Sequence, residues 1–336
     1  MQDNDKNENT NGNNDLHLQK KSIFSKSMDL FIKAVFVLLP IWGIIYNLQL
    51  YYMAGFMVLR GHYNASMVAA AFVIIFLTIP ARKDGKTRQW YDFPLVIATL
   101  VFCIYYIVNY MDIVYGAYMR LLPEEFILGI IAILVLLEAV RRTTGWVMVI
   151  VSIFFMIHGL FAPSFPGFLR GPSIGVERLV TAAYLSNEGI FGFIIGIATT
   201  YIIAFSTFGA FLVIFGGGEK LTNLVLSMVG HIQGGAAKVA VLSSAALGTL
   251  TGDAISNVGI SGSFTLPMMK KMGFKDYVAG AVETVGSVGG VILPPMMGAI
   301  IFIMVEVTGI PYVHIMRAAL FPAILYFLAV YFQIDF

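Results

Sequence analysis

Apolar runs separated by short polar connections follow one another along most of the chain. Runs of about 17–25 apolar residues are typical of helices that cross a bilayer. The pattern predicts uninterrupted spans at residues 30–50, 65–80, 94–111, 125–140, 145–161, 189–215 and 313–332. It also predicts a long polar connection at residues 162–188 and an amphipathic, interfacial helix at residues 219–231.

Residues 236–271 depart from this pattern. Two apolar arms, residues 236–250 and 260–271, are each too short to cross the bilayer and have lysines at their outer ends. Because Lys-rich ends stay cytoplasmic, the segment is predicted to enter the membrane, turn and return as a re-entrant helical hairpin. Its tip lies in the polar stretch GTLTGDAISNVGISGSFTLP, residues 248–267. Polar side chains are costly in hydrocarbon and usually mark a function.

The next apolar segment, residues 276–307, is interrupted in its middle by VGSVGGVILPPMMG. Proline removes a backbone donor and clashes with the preceding turn of a helix. The sequence therefore predicts a broken helix with halves at residues 277–288 and 296–307. Together with the uninterrupted runs this gives about eight spans plus the hairpin, in an all-α polytopic membrane protein.

A hairpin beside a broken helix indicates a transport site. Unwound backbone near the bilayer midplane exposes carbonyl oxygens and helix N-termini, which secondary transporters use to hold Na⁺ and anionic substrate groups. We expect a cation site where the two interruptions meet, because Na⁺ prefers oxygen ligands. The candidate oxygens belong to Thr251, Asp253, Ser256, Asn257, Gly289 and Gly290. The alternative is a glycine-rich turn and a proline kink that serve only helix packing.

Composition agrees with a membrane protein. The 336 residues are 58% hydrophobic and 12% charged, whereas soluble domains are about 45–50% apolar and about 25% charged. A net charge of +2 gives no reason to expect a nucleic-acid partner. Residues 1–28 are predicted to be a disordered cytoplasmic tail. Lys and Arg clusters before residue 30, at residues 82–88 and at residues 141–142 are compatible with a cytoplasmic N-terminus.

The two interrupted segments resemble a known family. GGAAKVAVLSSAALGTLTGDAISNVGISGSFTLPMMKKMGF and AGAVETVGSVGGVILPPMMGAIIFIMVEVTGIPYVHI are similar to the large membrane subunit of tripartite ATP-independent periplasmic (TRAP) transporters. LEAVRRTTGW and LSNEGIFG are similar to its TAXI-type branch, in which the small and large subunits are fused. The resemblance implies small-subunit-like helices at residues 29–123 and the first part of the large permease at residues 124–336.

The resemblance also implies a function. TRAP transporters are Na⁺-driven importers of small organic anions, such as C4-dicarboxylates, and an extracytoplasmic solute-binding protein delivers the substrate at the inner membrane. Na⁺ would be a coupling ion and not a tightly bound cofactor. By motif, the first Na⁺ site would include Ser256, Asn257, Gly289, Gly290 and Pro294.

The sequence departs from the family at two points. TAXI members usually read Ser-Gly-Ser at the hairpin tip, whereas this chain reads Thr251-Gly252-Asp253. Asp253 either adds charge to the cation site or is a turn residue satisfied by backbone N–H groups. The family has two inverted repeats, and this sequence contains one hairpin and one broken helix. We therefore expect the first half of an inverted-repeat transporter that needs the missing C-terminal half of the permease as a partner.

Further candidates and rival functions complete the hypotheses. Thr251, Ser261 and Glu283 are the candidates for the substrate pathway. An ion channel or an unrelated secondary transporter remains open as an alternative, since hairpins also line selectivity filters. An intramembrane aspartyl protease would need a second aspartate beside Asp253, and the available aspartates lie at span ends or beside lysines. We therefore expect no enzyme.

Overall fold

A computed structural model describes residues 27–81, 91–116, 121–232 and 234–334. All regular structure within these residues is helical, which confirms the predicted all-α class. The predicted disordered tail lies almost wholly outside the described residues, as does the basic cluster at residues 82–88. The chain forms two compact units, Met1–Gly192 and Phe193–Phe336.

The helices of the first unit lie close to the predicted spans. They are α1 (Ser27–Asn47), α2 (Leu50–Met53), α3 (Arg60–Thr78), α4 (Asp92–Val108), α5 (Tyr110–Gly116), α6 (Pro123–Thr143), α7 (Trp146–Phe161) and α8 (Val176–Val180). Helices α3, α4 and α6 pack together around buried aromatic residues such as Tyr63, Phe76 and Phe102. Helices α1 and α7 are apolar but little buried, as expected of helices that face lipid.

The prediction of a polar connection at residues 162–188 was wrong for its second half, which is helical. Helix α8 continues into a π-helical turn at Thr181–Leu185. Val180, Tyr184 and Leu185 are buried there, and the Tyr184 hydroxyl donates a hydrogen bond of 2.8 Å to the Phe102 carbonyl. This short apolar face was hidden in the sequence because prolines and glycines flank it.

A buried ionic cluster ties three helices of the first unit together. The Arg142 guanidinium of α6 donates to Asp92 of α4 at 2.7 Å and to Glu138 at 2.8 Å. It also donates to the Phe76 and Ile79 carbonyls at the end of α3, at 3.4 and 3.2 Å. The side chains of Arg142 and Asp92 are 0% and 2% exposed. The orphan carbonyls at the end of α3 are thus satisfied by a cation from α6.

The second unit contains the hairpin and the broken helix. Its helices are α9 (Phe193–Ile197), α10 (Ile203–Ile214), α11 (Gly217–Val229), α12 (Gly235–Thr251), α13 (Ala254–Lys271), α14 (Asp276–Gly290), α15 (Ala299–Thr308) and α16 (Tyr312–Gln333). A π-helical segment, Ala198–Ile202, joins α9 to α10. The arms α12 and α13 contain 17 and 18 residues, so each is about 25–27 Å long.

Helices α12, α13 and α14 form the core of this unit. Near the open end of the hairpin, small residues of α12 and α14 pack against Met269 of α13. Small side chains let helix backbones approach closely, which is how apolar helices associate inside a bilayer. Among the described residues, five helical segments of both units are long and apolar enough to cross a membrane: Ser27–Asn47, Arg60–Thr78, Trp146–Ser164, Phe193–Phe211 and Tyr312–Gln333.

Candidate functional site

The hairpin tip is much shorter than the sequence suggested. Helix α12 ends at Thr251, Gly252 has a left-handed φ of 61°, and α13 already begins at Ala254. The prediction that the returning arm starts at residue 260 was wrong, since most of the polar stretch is helical. A side chain on Gly252 would place Cβ 2.3 Å from the Met297 carbonyl oxygen, so this position requires glycine.

Asp253 caps the returning arm. Its Oδ2 accepts hydrogen bonds from the backbone N–H and from the hydroxyl of Ser256, both at 2.7 Å. An N-cap carboxylate satisfies one of the free N–H groups of the first helical turn and interacts favourably with the helix dipole. This cap explains why α13 begins directly after the tip, and it gives Asp253 a structural role.

We expect Asp253→Ala to lower the free energy of unfolding by about 1 kcal/mol, because the cap is lost. Asp253→Ser should stay within a few tenths of a kcal/mol of the original chain, because serine also caps well. Thermal unfolding of the purified chain measures both. Equal losses for the two variants would show that the carboxylate, and not capping, stabilises this turn.

The interruption of the second segment lies at residues 291–298, between α14 and α15. Its turn is closed by a hydrogen bond of 2.7 Å from the Gly298 N–H to the Val291 carbonyl. The carbonyls of Gly289 and Gly290 accept bonds from Ile292 and Leu293 at 3.2 Å. Both carbonyls therefore already accept a hydrogen bond within the turn. Each oxygen still has a second lone pair that could bind a cation.

The hairpin and the helix break touch through glycines. A Cβ on Gly248 of α12 would lie 2.3 Å from Gly290 Cα of α14. A Cβ on Gly289 would instead meet the Tyr326 and Phe327 rings of α16 at 2.3 and 2.8 Å. Gly290 therefore faces the hairpin, whereas the Cβ position of Gly289 faces α16.

Asn257 is buried at this junction. Its Nδ2 donates to the Ser244 carbonyl at 2.8 Å and lies 3.0 Å from the position of a Cβ on Gly290. Its Oδ1 is buried and has no hydrogen-bond partner among the described residues. A buried acceptor without a partner is rare in proteins and calls for an explanation.

A cavity of about 540 Å³ lies against the tip. Its polar lining includes Thr251, Asp253, Ser256 and Ser206, and its apolar lining includes the ring of Phe302. Asp253 is the only charged residue among the described residues that line the cavity. An apolar pocket with a few convergent polar groups is the usual form of a small-molecule site.

Glu283 does not line this cavity. It is 1% exposed and lies between α12, α13 and α14. Its Oε1 accepts from the Ser244 hydroxyl at 3.0 Å and from Ser261, and its Oε2 accepts from Thr265. The Ser287 hydroxyl is 3.5 Å from Oε1.

The candidates thus fall into separate groups. Three of them, Thr251, Asp253 and Ser256, line the cavity. Asn257 and Gly290 meet behind the tip, and Ser261 joins Glu283 deeper in the helices. Gly289 faces α16, and Pro294 lies half-buried in the turn of the helix break.

Sequence reasoning missed three residues of the Glu283 cluster, namely Ser244, Thr265 and Ser287. The spacing of Asn257, Ser261 and Thr265 at every fourth residue places them on one face of α13. That polar stripe was visible in the sequence, but its carboxylate partner lies on another helix and could not be assigned by spacing.

The described residues give no support to the protease alternative or to a metal centre of acidic, histidine and cysteine side chains. Among the described residues, no group of three or more His, Cys, Asp and Glu side chains could hold a metal ion. Asp253 and Asp276 flank the two ends of α13, about 27 Å apart along its axis, and Asp276 pairs with Lys270 at 3.1 Å. Asp92 pairs with Arg142. A protease dyad would need two carboxylates in contact.

Comparison with known families decides the class. Residues 131–336 match the model of the tripartite ATP-independent periplasmic transporter, DctM component. The chain belongs to this family. It is therefore a multi-pass TRAP permease component and not an enzyme, as the sequence predicted.

Curated relatives of the TRAP permease agree. A Haemophilus influenzae protein named as a TRAP transporter large permease is 30% identical over 108 residues, 32% of this chain and 25% of the relative. UehC of Ruegeria pomeroyi, an ectoine/5-hydroxyectoine TRAP large permease, is 34% identical over 91 residues, which are 27% of this chain and 21% of UehC. The C4-dicarboxylate TRAP large permease DctM of Pseudomonas aeruginosa is 30% identical over 95 residues, which are 28% of this chain and 22% of that protein.

These matches span about a quarter of the length of the curated relatives. No solved structure matches the chain.

Proposed function

We propose that this TRAP permease chain belongs to a Na⁺-coupled importer that takes small organic anions, such as C4-dicarboxylates, from an extracytoplasmic solute-binding protein. Family membership over residues 131–336 supports the transport class. The relatives named above act on C4-dicarboxylate and on ectoine. The chain would lie in the inner membrane with its N-terminus in the cytoplasm, as the positions of its Lys and Arg residues favour.

The Na⁺ site of this proposal lies at the junction between the hairpin and the helix break. The observation that carries it is the buried Asn257 Oδ1, which has no partner among the described residues and belongs to a side chain whose Nδ2 approaches Gly290. A Na⁺ ion would give this oxygen a partner and could draw further ligands from the Gly290 carbonyl and nearby backbone. Asp253, about one turn earlier in the chain, would add negative potential from the cavity side, and Ser256 would offer its hydroxyl oxygen.

Na⁺ binding would also resolve a conflict in the cavity. An organic anion would be repelled by Asp253, the only charged residue among its described lining. A cation bound behind the tip offsets that charge before the substrate enters. Anion and Na⁺ would then favour each other's binding, which is the energetic requirement for symport.

The first helices of the chain would supply the small subunit. The family match begins at residue 131, which leaves α1 to α5 outside the large-permease model. We propose that residues 29–123 are a fused small subunit of the TAXI type. The substrate pathway would include Thr251 at the cavity, while Ser261 and Glu283 would act from within the helices.

The Na⁺ proposal can be tested on the purified chain. NaCl should raise its unfolding temperature above that in an equal concentration of choline chloride, since a ligand that binds only the folded state stabilises it. At 100 times the dissociation constant the gain is about 2.7 kcal/mol. Asn257→Ala should abolish this Na⁺-specific gain.

Ser263→Ala is the matched control, because Ser263 lies on the same helix, is exposed, and its hydroxyl donates to the Ile260 carbonyl of its own helix at 2.7 Å. Its Na⁺-specific gain should equal that of the original chain. Equal effects of NaCl and choline chloride on the original chain would contradict the proposal. Passive Na⁺ flux through vesicles containing the chain, without substrate or binding protein, would favour the channel alternative.

A further inference from the structure

Glu283 has a hydrogen-bonding environment that serves two protonation states. The residue is 1% exposed, and no cationic side chain of the described residues forms an ion pair with it. An isolated buried carboxylate is very costly, so its charge must be stabilised by donors or removed by a proton. Hydroxyl groups can do either, because a hydroxyl donates one hydrogen bond and also accepts.

Three of the surrounding hydroxyls each have two possible acceptors. The Ser261 hydroxyl can donate to the Asn257 carbonyl at 2.7 Å or to Glu283 Oε1. The Thr265 hydroxyl can donate to the Ser261 carbonyl at 2.9 Å or to Glu283 Oε2. The Ser244 hydroxyl can donate to Ser261 Oγ at 3.1 Å or to Glu283 Oε1 at 3.0 Å.

By rotating, these hydroxyls can form suitable hydrogen bonds with either protonation state of the carboxyl group. When Glu283 is ionised, Ser244, Ser261 and Thr265 point their hydrogens at its oxygens. When it is protonated, Ser261 and Thr265 return their hydrogens to carbonyls of their own helix, and the carboxylic acid donates to a hydroxyl oxygen. Neither state requires a backbone movement or leaves a carboxyl oxygen without a partner.

A proton fits this cluster better than a metal ion does. The carboxylate oxygens and hydroxyls are already in direct hydrogen-bond contact, which leaves no space for an ion between them. The unpartnered oxygen that suits Na⁺ belongs instead to Asn257.

The other ionisable groups near α14 have their own interactions. Lys238 of α12 lies over the Tyr331 ring at 4.6 Å, and Lys270 of α13 pairs with Asp276. The Tyr326 hydroxyl of α16 donates to the Val285 carbonyl at 2.9 Å. Lys275, directly before α14, lies over the Tyr277 ring at 6.0 Å. The remaining ionisable residues on or beside these packed helices are Asp253, Lys271, Tyr312, His314 and Arg317.

We propose that Glu283 is a proton-binding site, separate from the Na⁺ site and linked to the packing of the hairpin. Its carboxylate takes a proton from water to form the neutral acid, and it returns the proton to water on release. Because its partners lie on α12 and α13, proton binding changes the hydrogen bonds that join three helices. This inference does not depend on the proposed import of organic anions.

Infrared spectroscopy of the purified full chain tests the proposal. We expect a carboxylic-acid C=O band that shifts in D₂O, disappears as the pH is raised, and is absent from Glu283→Gln. Asp276→Asn is the matched control, because it removes an 80% exposed carboxylate from the same helix and should leave the band unchanged.

Thr265→Val provides a second readout that does not require folding of Glu283→Gln. It removes the hydroxyl that contacts Glu283 Oε2, so the frequency of the acid C=O band should change. Absence from the original chain of an acid band that disappears at high pH, or an unchanged band frequency in Thr265→Val, would overturn the proposal.

Discussion

Replacement of Arg142 by alanine is expected to lower the free energy of unfolding by about 3–5 kcal/mol. The guanidinium is fully buried and binds Asp92, Glu138 and the carbonyls at the end of α3. Without Arg142, the Asp92 carboxylate, which is 2% exposed, and the carbonyls at the end of α3 lose their cationic donor. Most of the loss comes from these buried groups, each of which would lose its bond from the guanidinium.

Arg141→Ala is the control for this prediction. Arg141 is the neighbouring arginine and also pairs with Glu138, at 2.7 Å, but its side chain is 21% exposed. Partly exposed ion pairs contribute about 0–1 kcal/mol, so the unfolding temperature should fall only slightly. Thermal unfolding of both variants in one detergent gives the comparison. Similar losses for Arg141→Ala and Arg142→Ala would show that the buried network around Asp92 is not what stabilises the first unit.

The sequence predicted the positions of most helices because apolar runs of membrane length are strong local signals. Helix α3 begins five residues before its predicted span, for example, and α16 begins one residue before its own. The helix at residues 176–185 was missed because its apolar face is short and Pro- and Gly-rich sequence surrounds it. Local pattern cannot show that Tyr184 packs against a helix about eighty residues away.

The candidate site was predictable in its parts but not in its arrangement. Motif and polarity indicated Asp253, Asn257 and Gly290, and these residues do lie at or beside the tip. The sequence could not decide between a ligand and a cap at Asp253, because that depends on where α13 begins. It also could not show that Glu283 faces away from the cavity, since its direction is set by packing against α12 and α13.

Replacement of Gly248 by alanine should destabilise the hairpin unit by about 1–3 kcal/mol. The new methyl group would lie 2.3 Å from Gly290 Cα, a backbone atom that cannot rotate away. Helices α12 and α14 would have to separate at the position where Asn257 contacts the Ser244 carbonyl. We therefore expect Gly248→Ala to reduce the Na⁺-specific rise in unfolding temperature as well as the unfolding temperature itself.

Gly280→Ala is the matched control, because Gly280 lies within α14 and an added Cβ there would meet no atom within 4 Å. Alanine favours a helix over glycine by about 0.5–1 kcal/mol, so this variant should be neutral or slightly more stable. The expected changes in stability therefore differ in sign, which distinguishes the effect of close helix packing from that of helix propensity. If Gly248→Ala were as stable as Gly280→Ala, close approach of α12 and α14 would not be required for folding. If it kept the full Na⁺-specific gain, the Na⁺ site would not depend on that approach.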